Sequence, residues 1–421
     1  MRKVRSSPSA RRRATVRCSW LFALTLIGYP IFGLLSSLLN ADSTVTSIPF
    51  RIGVVLLVLL LLLNSPLTRR WWRQQRWLLG FWALYGARLL WDGTIGGQPG
   101  VPEALVFFAL TVLLPCIALG LNAVHFDERR VLRLLISLGG VVCIGAFVMS
   151  SFGLGQARLL GDITDRLFFE ALNPISLGHA AVTTLIAALC ISRQRPDGAM
   201  LLFTLAVAVA AGVCVALSGS RGPALALVVC VLLFTAATRR WGWLVLALLV
   251  FVPQALNSDA ELWQRFATVT EDASALERLL LQGNAIQQFL DRPLLGSAYV
   301  ELEFKEYPHN IFIETAMALG LLGLALLLAI VFQAVRMAAR QLRRGQLLVP
   351  LLFAQYIVGA QFSGAIWGAS ALWACTALLL GSRSFGKSTN PAARRVFRSR
   401  RHGARRPDSL PIPAPQPSGN D

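Results

Sequence analysis

The stretch "HNIFIETAMALGLLGLALLLAIVFQAV", residues 309–335, carries one charged side chain, Glu314, in an otherwise apolar run. At 1.5 Å per residue such a run is long enough to cross a hydrocarbon layer of ~30 Å. Similar runs recur along the chain. We place twelve spans near 19–40, 46–64, 76–92, 101–121, 131–152, 174–192, 199–217, 222–238, 241–256, 309–335, 347–364 and 366–382. The composition agrees. Of 421 residues, 55 % are hydrophobic and only 14 % are charged, against about 25 % charged in soluble domains. The expectation is an all-α integral membrane protein of about twelve transmembrane helices.

The formal charge of +19 would suit a nucleic-acid binder, but its placement points elsewhere. With the N-terminus in the cytoplasm, the inner segments hold 31 of the 40 Lys and Arg, and the outer loops hold most of the acids. That bias predicts N-in and C-in, with the basic ends reading anionic lipid head groups and no nucleic acid. The first span follows a basic segment as a signal peptide would. It is too long for that, and Asn40-Ala41 lacks a small-x-small cleavage site, so we read it as retained. The seven cysteines are scattered through the spans without paired spacing and are expected to be core thiols.

The expected organisation is a basic cytoplasmic N-terminus (1–18), nine helices (19–256), a large periplasmic loop (257–308), three helices (309–382) and a basic, Pro-rich, disordered tail (383–421). A second outer loop spans about 153–173. In the large loop Ser274 to Glu277 fits a capping box. Leu276, Leu279, Leu280, Gly283, Ile286, Gln287 and Leu290 then fall mostly on one face, and Pro293 ends the helix. Arg278 lies off that stripe, so the helix is expected to rest on the membrane surface.

Nine basic residues escape the positive-inside rule, among them Arg51, Arg88, Arg221 and Arg278. Arg221, in "ALSGSRGPALAL" (216–227), sits between two spans and must snorkel, pair, or bind an anion, for which its planar fork suits phosphate. Arg278 and the pair His309-Asn310 fall on the same outer side. Two guanidinium groups and an imidazole suit transfer from a diphosphate: the arginines would stabilise the leaving group and a neutral His would take a hydroxyl proton. Arg88 and Asp92 are one turn apart and could pair, as are Asn310 and Glu314. Arg51, Arg88, Asn310 and Glu314 are candidates for site support, with snorkelling or helix–helix bonding as the alternative. His179 reads as a hydrogen-bonded structural residue, and Glu301, Glu303 and Glu306 as solvated loop acids. No metal or cofactor is called for.

The order and spacing of "SGSRG" (218–222), "ERLLLQGNAIQQFLDRPLLGSA" (277–298) and "PHNIFIETAMALGLLG" (308–323) resembles the O-antigen ligase / O-antigen polymerase superfamily. "NPISLGHAA" (173–181) adds to the likeness. One departure is Gly296-Ser297-Ala298, where the family often has Gly-x-Gly. The resemblance implies a bacterial inner-membrane glycosyltransferase of GT-C type. It implies a donor glycan on undecaprenyl diphosphate, held by Arg221 and Arg278, and His309 as base for the acceptor hydroxyl at the periplasmic face, with inversion and no metal. Lipid A-core is the favoured acceptor (a ligase), with a growing glycan (a polymerase) close behind. The rival reading is a transporter or flippase for an anionic lipid or solute, which shares the spans and the outer arginines; a non-catalytic scaffold would leave those arginines unexplained.

Overall fold

A computed structural model describes residues 8–63, 65, 67–154, 158–159, 167–169, 171–194, 196–242 and 273–382. The expected span 241–256 (apart from 241–242), residues 257–272 of the large outer loop, residues 1–7 and the tail from 383 lie outside the described residues.

The described chain is helical apart from a short hairpin. The helices are α1 (Pro8–Leu39), α2 (Ser43–Leu62), α3 (Arg69–Thr94), α4 (Val101–Leu121), α5 (Glu128–Phe152), α6 (Pro174–Ile191), α7 (Gly198–Leu217), α8 (Arg221–Thr238), α9 (Ala273–Asp291), α10 (Ile311–Arg343), α11 (Leu348–Gly359) and α12 (Ser370–Gly381). Eight of these are long and apolar enough to cross a membrane; α11 and α12 are apolar but only 12 residues each. The fold is that of an all-α membrane protein. Large apolar side chains such as Leu56, Leu202, Val209 and Phe332 are more than half exposed, as a lipid-facing surface requires and a water-facing one does not.

Local sequence fixes several helix starts. Asp42, Thr68, Asp127, Asn173 and Asp197 each accept a hydrogen bond from an N–H in the first turn of the helix that follows. In α4, Phe108–Leu113 widens into a π-helical turn just ahead of Pro115, which has no N–H to donate. Helix α1 packs on α2 and α5, α5 on α6 and α7, α3 on α10, and α12 on α4. All seven cysteines are free and buried. The loop after α5 contains the antiparallel pair β1 (Arg158–Leu159) and β2 (Leu167–Phe168). Its base, Phe169 and Leu172, is fully buried.

Four expected spans differ from the sequence reading, the first being 76–92, whose helix α3 is not among the eight long and apolar enough to cross. Expected spans at 347–364 and 366–382 are shorter helices separated by a non-helical segment, 360–369. Helix α10 is longer than expected and is broken at Gly320, whose φ of +63° and ψ of −159° only glycine adopts readily.

Candidate functional site

The break in α10 is filled by another part of the chain. Leu321 donates its N–H to the Pro293 carbonyl at 2.7 Å, and Ser297 N–H donates to the Met317 carbonyl at 2.9 Å. The backbone at 293–297 thus completes the ladder that Gly320 interrupts. Gly320 lies nine residues inside α10, about 14 Å from its start. Irregular backbone at such depth persists only where protein satisfies it. The approach is too close for side chains: a Cβ on Gly296 would lie 2.4 Å from the Ala318 carbonyl carbon, and one on Gly320 would lie 2.4 Å from that of Leu294.

Arg88 and Asp92 of α3 hold the same segment. They form an ion pair at 3.2 Å. Arg88 also donates to the carbonyls of Ser297 (2.9 Å), Leu295 (3.0 Å) and Gly296 (3.4 Å). Asp92 accepts from Tyr299 N–H at 2.8 Å. Arg88 therefore does more than pair locally. Its donors are spent on loop carbonyls, which fixes where α9 ends and where the chain returns to the membrane.

Helix α9 presents Arg278, Leu281, Ala285 and Gln288 on one face. Leu281, Ala285 and Gln288 are buried and Arg278 is half-buried. Gln288 clamps the following loop, donating to Val300 O at 3.1 Å and accepting from Leu302 N–H at 3.1 Å. The stripe of Leu276, Leu279, Leu280, Ile286 and Leu290 is about half exposed, and Leu294 and Leu295 are more so. The sequence reading of Arg278 as lying off the apolar stripe matches this placement.

Glu301 is not the solvated acid expected: it is 3 % exposed and accepts from the N–H groups of Glu303 (2.8 Å) and Phe304 (2.7 Å). This turn leads to His309, which has φ of +56°, a left-handed conformation uncommon outside glycine. Its ring lies 4.5 Å from the Tyr307 ring, centroid to centroid. Its Nδ1 is buried and has no hydrogen-bond partner among the described residues. Burial, and then the positive field of Arg278, push the imidazole down to about 4, so it is neutral near pH 7. The next residue, Asn310, is the N-cap of α10, accepting from Phe312 N–H (3.0 Å) and Ile313 N–H (3.2 Å). Glu314 is fully buried; both its oxygens accept from Ile366 N–H at 3.0 Å, and one accepts from Tyr85 of α3 at 3.5 Å.

Segment 360–369 is the hub that sequence reasoning missed. Ile311 N–H donates to Ala360 O at 3.0 Å, Glu314 holds Ile366, and Trp373 Nε1 donates to Ile366 O at 2.9 Å. Phe362 lies against Gly222, the neighbour of Arg221, where an added Cβ would be 3.3 Å from it. Arg221 is the first residue of α8, half-buried, after Gly219 at φ +54° and the N-cap Ser220. Hence Arg278 and His309 share one electrostatic neighbourhood, and Arg221 borders it through the hub. Arg51 of α2 stands over the Phe107 ring, 4.3 Å from its centroid. The available signal for the hub was "GAQFSGAIWGAS" (359–370), which is rich in Gly, Ala and Ser.

His179 packs 5.8 Å from the Tyr356 ring, and its Nδ1 is buried with no hydrogen-bond partner among the described residues.

No curated protein matches the chain. Residues 206–328 match the family model described as O-Antigen ligase. That segment contains Arg221, Arg278, His309, Asn310 and Glu314, and covers the three motifs on which the resemblance rests. The match covers less than a third of the chain, and it supports, for residues 206–328, a likeness to the O-antigen ligase and polymerase superfamily.

Proposed function

We propose that the protein is a metal-independent, inverting GT-C glycosyltransferase of the bacterial inner membrane. It moves a glycan from undecaprenyl diphosphate to a hydroxyl of lipid A-core at the periplasmic face. The observation that supports this most is the lip of α10. There a neutral imidazole with a buried, unpartnered nitrogen sits beside Arg278, inside the segment matched to the O-antigen ligase family.

In this reading Arg221 and Arg278 hold the carrier diphosphate, with guanidinium forks matched to phosphate oxygens. His309 takes the proton from the acceptor hydroxyl as that oxygen attacks the anomeric carbon. The bond from that carbon to the diphosphate oxygen breaks on the opposite side, and the configuration inverts. The arginines neutralise the charge that grows on the departing diphosphate. Asn310 and Glu314 position the histidine, one by capping α10 and the other by fixing the 360–369 hub. The exposed stripe of α9 lies on the membrane, where the carrier lipid enters.

Deletion of the gene followed by analysis of surface polysaccharide tests the assignment. Long chains left on the carrier and absent from lipid A-core are the expected result. Single repeat units on core would mean a polymerase. Unchanged glycan with altered solute uptake would mean a transporter and would overturn the proposal.

A further inference from the structure

The aromatic row that runs from His309 to Arg51 serves no purpose in the chemistry just described. The Tyr307 ring lies 4.5 Å from His309 and 6.2 Å from Trp367, the latter at 87°. Trp367 lies 5.7 Å from Phe107. Phe107 carries the Arg51 guanidinium 4.3 Å above its centroid. The five residues come from four separate segments: the lip before α10, the 360–369 hub, α4 and α2. None is fully buried, so each keeps accessible surface. Among the described residues Arg51 forms no ion pair.

Tyrosine and tryptophan are common at membrane interfaces as lipid-facing anchors. Here the rings are arranged differently. They contact one another in sequence, and the row begins at the candidate base. Aromatic faces carry partial negative charge, and the C–H face of a pyranose carries partial positive charge, so sugars stack on such rings. Ligand sites commonly combine such apolar walls with a few placed polar groups. Arg51, fixed at the far end, supplies N–H donors for ring oxygens or an anionic substituent.

We infer that Tyr307, Trp367 and Phe107 form the subsite for the acceptor oligosaccharide, with Arg51 as its polar end stop. The sugar bearing the attacking hydroxyl stacks on Trp367, with the perpendicular Tyr307 ring beside it, which places that hydroxyl at His309. The next sugar passes along Phe107, one face of which Arg51 covers, to meet the guanidinium. This inference rests on the glycosyltransferase reading and adds the site of the second substrate to it.

The test uses the full-length protein in proteoliposomes, with an undecaprenyl-diphosphate-linked glycan as donor and rough-type lipopolysaccharide (lipid A-core) as acceptor. Trp367→Ala is expected to raise the acceptor KM about tenfold while the donor KM stays within about twofold. Trp367→Phe, which keeps a ring, is expected to restore most of the acceptor affinity. Two unchanged KM values for Trp367→Ala would overturn the inference. Donor and acceptor KM rising together, with a lowered melting temperature, would also overturn it, because Trp367 would then be a packing residue. If the wild-type protein forms no product at all, the transferase reading itself falls and takes the subsite with it.

Discussion

At His309 the left-handed backbone, the buried Nδ1 and the nearby Arg278 act together on one proton. Burial and the positive charge both disfavour the imidazolium, so the side chain stays ready to accept a proton well below neutral pH. The acid limb of kcat/KM should therefore fall near pH 4, where the histidine protonates, and not near the ~6.5 of an unperturbed histidine. Arg278→Gln removes one of the two causes and should move that limb upward in whatever activity remains; a pH–rate profile reads both. Arg221→Lys keeps the charge and loses the fork. Charge-assisted hydrogen bonds contribute about 1.5–3 kcal/mol each, so a loss of roughly 10–100-fold in kcat/KM is expected. Full activity in that variant would assign Arg221 to snorkelling. His309, Arg221 and Arg278 stand out in the sequence as candidates because each is a polar residue that neither span composition nor topology explains. The burial of Glu301 was not legible, since it depends on a turn folding back on its own carboxylate.

At the scale of elements, the decisive feature is a broken helix repaired by a loop. Gly320→Ala meets both a glycine-only backbone conformation and the Leu294 backbone. It should cost roughly 1–3 kcal/mol or more, seen as a lowered melting temperature in detergent. Gly53→Ala is the control, since an added Cβ there meets nothing within 4 Å, and it should not lower the melting temperature. Nothing in "ALGLLGLALLL" (318–328) marked the break, because hydropathy sees an unbroken run and the repairing partners are local to another segment. The clamp of Arg88 on 295–297 was equally hidden: the pair with Asp92 is one turn away, but the carbonyls are more than 200 positions along the chain. By contrast the stripe and stop of α9 were readable. Both are encoded within twenty residues, and the structure exposes the apolar stripe while leaving Arg278 half-buried; the expected capping box is not its start, because Ser274 lies inside the helix Ala273–Asp291.

For the whole molecule, eight of the twelve expected spans coincide with helices long and apolar enough to cross, because a ~30 Å apolar layer imposes length and composition on each crossing. The non-helical 360–369 hub was not legible, because its Gly-, Ala- and Ser-rich composition is weak against the apolar helices that flank it. The distribution of Lys and Arg predicts the sidedness, and impermeant thiol labelling tests it against a low background, all seven native cysteines being buried. Lys305→Cys should react from the periplasm and Arg240→Cys should not; the reverse pattern would invert the topology and remove the periplasmic site. A chelator should leave activity unchanged if the arginines alone neutralise the diphosphate, whereas loss on chelation and recovery with a divalent cation would contradict that. The central claim is that a neutral His309 takes the acceptor proton, and it is tested most directly by reconstituted transfer. Wild-type protein and His309→Ala, matched for amount in the membrane, are compared for conversion of carrier-linked glycan and lipid A-core to product. The expected result is a fall of about 10²–10⁴-fold in the variant with carrier binding retained; transfer near the wild-type rate would contradict it.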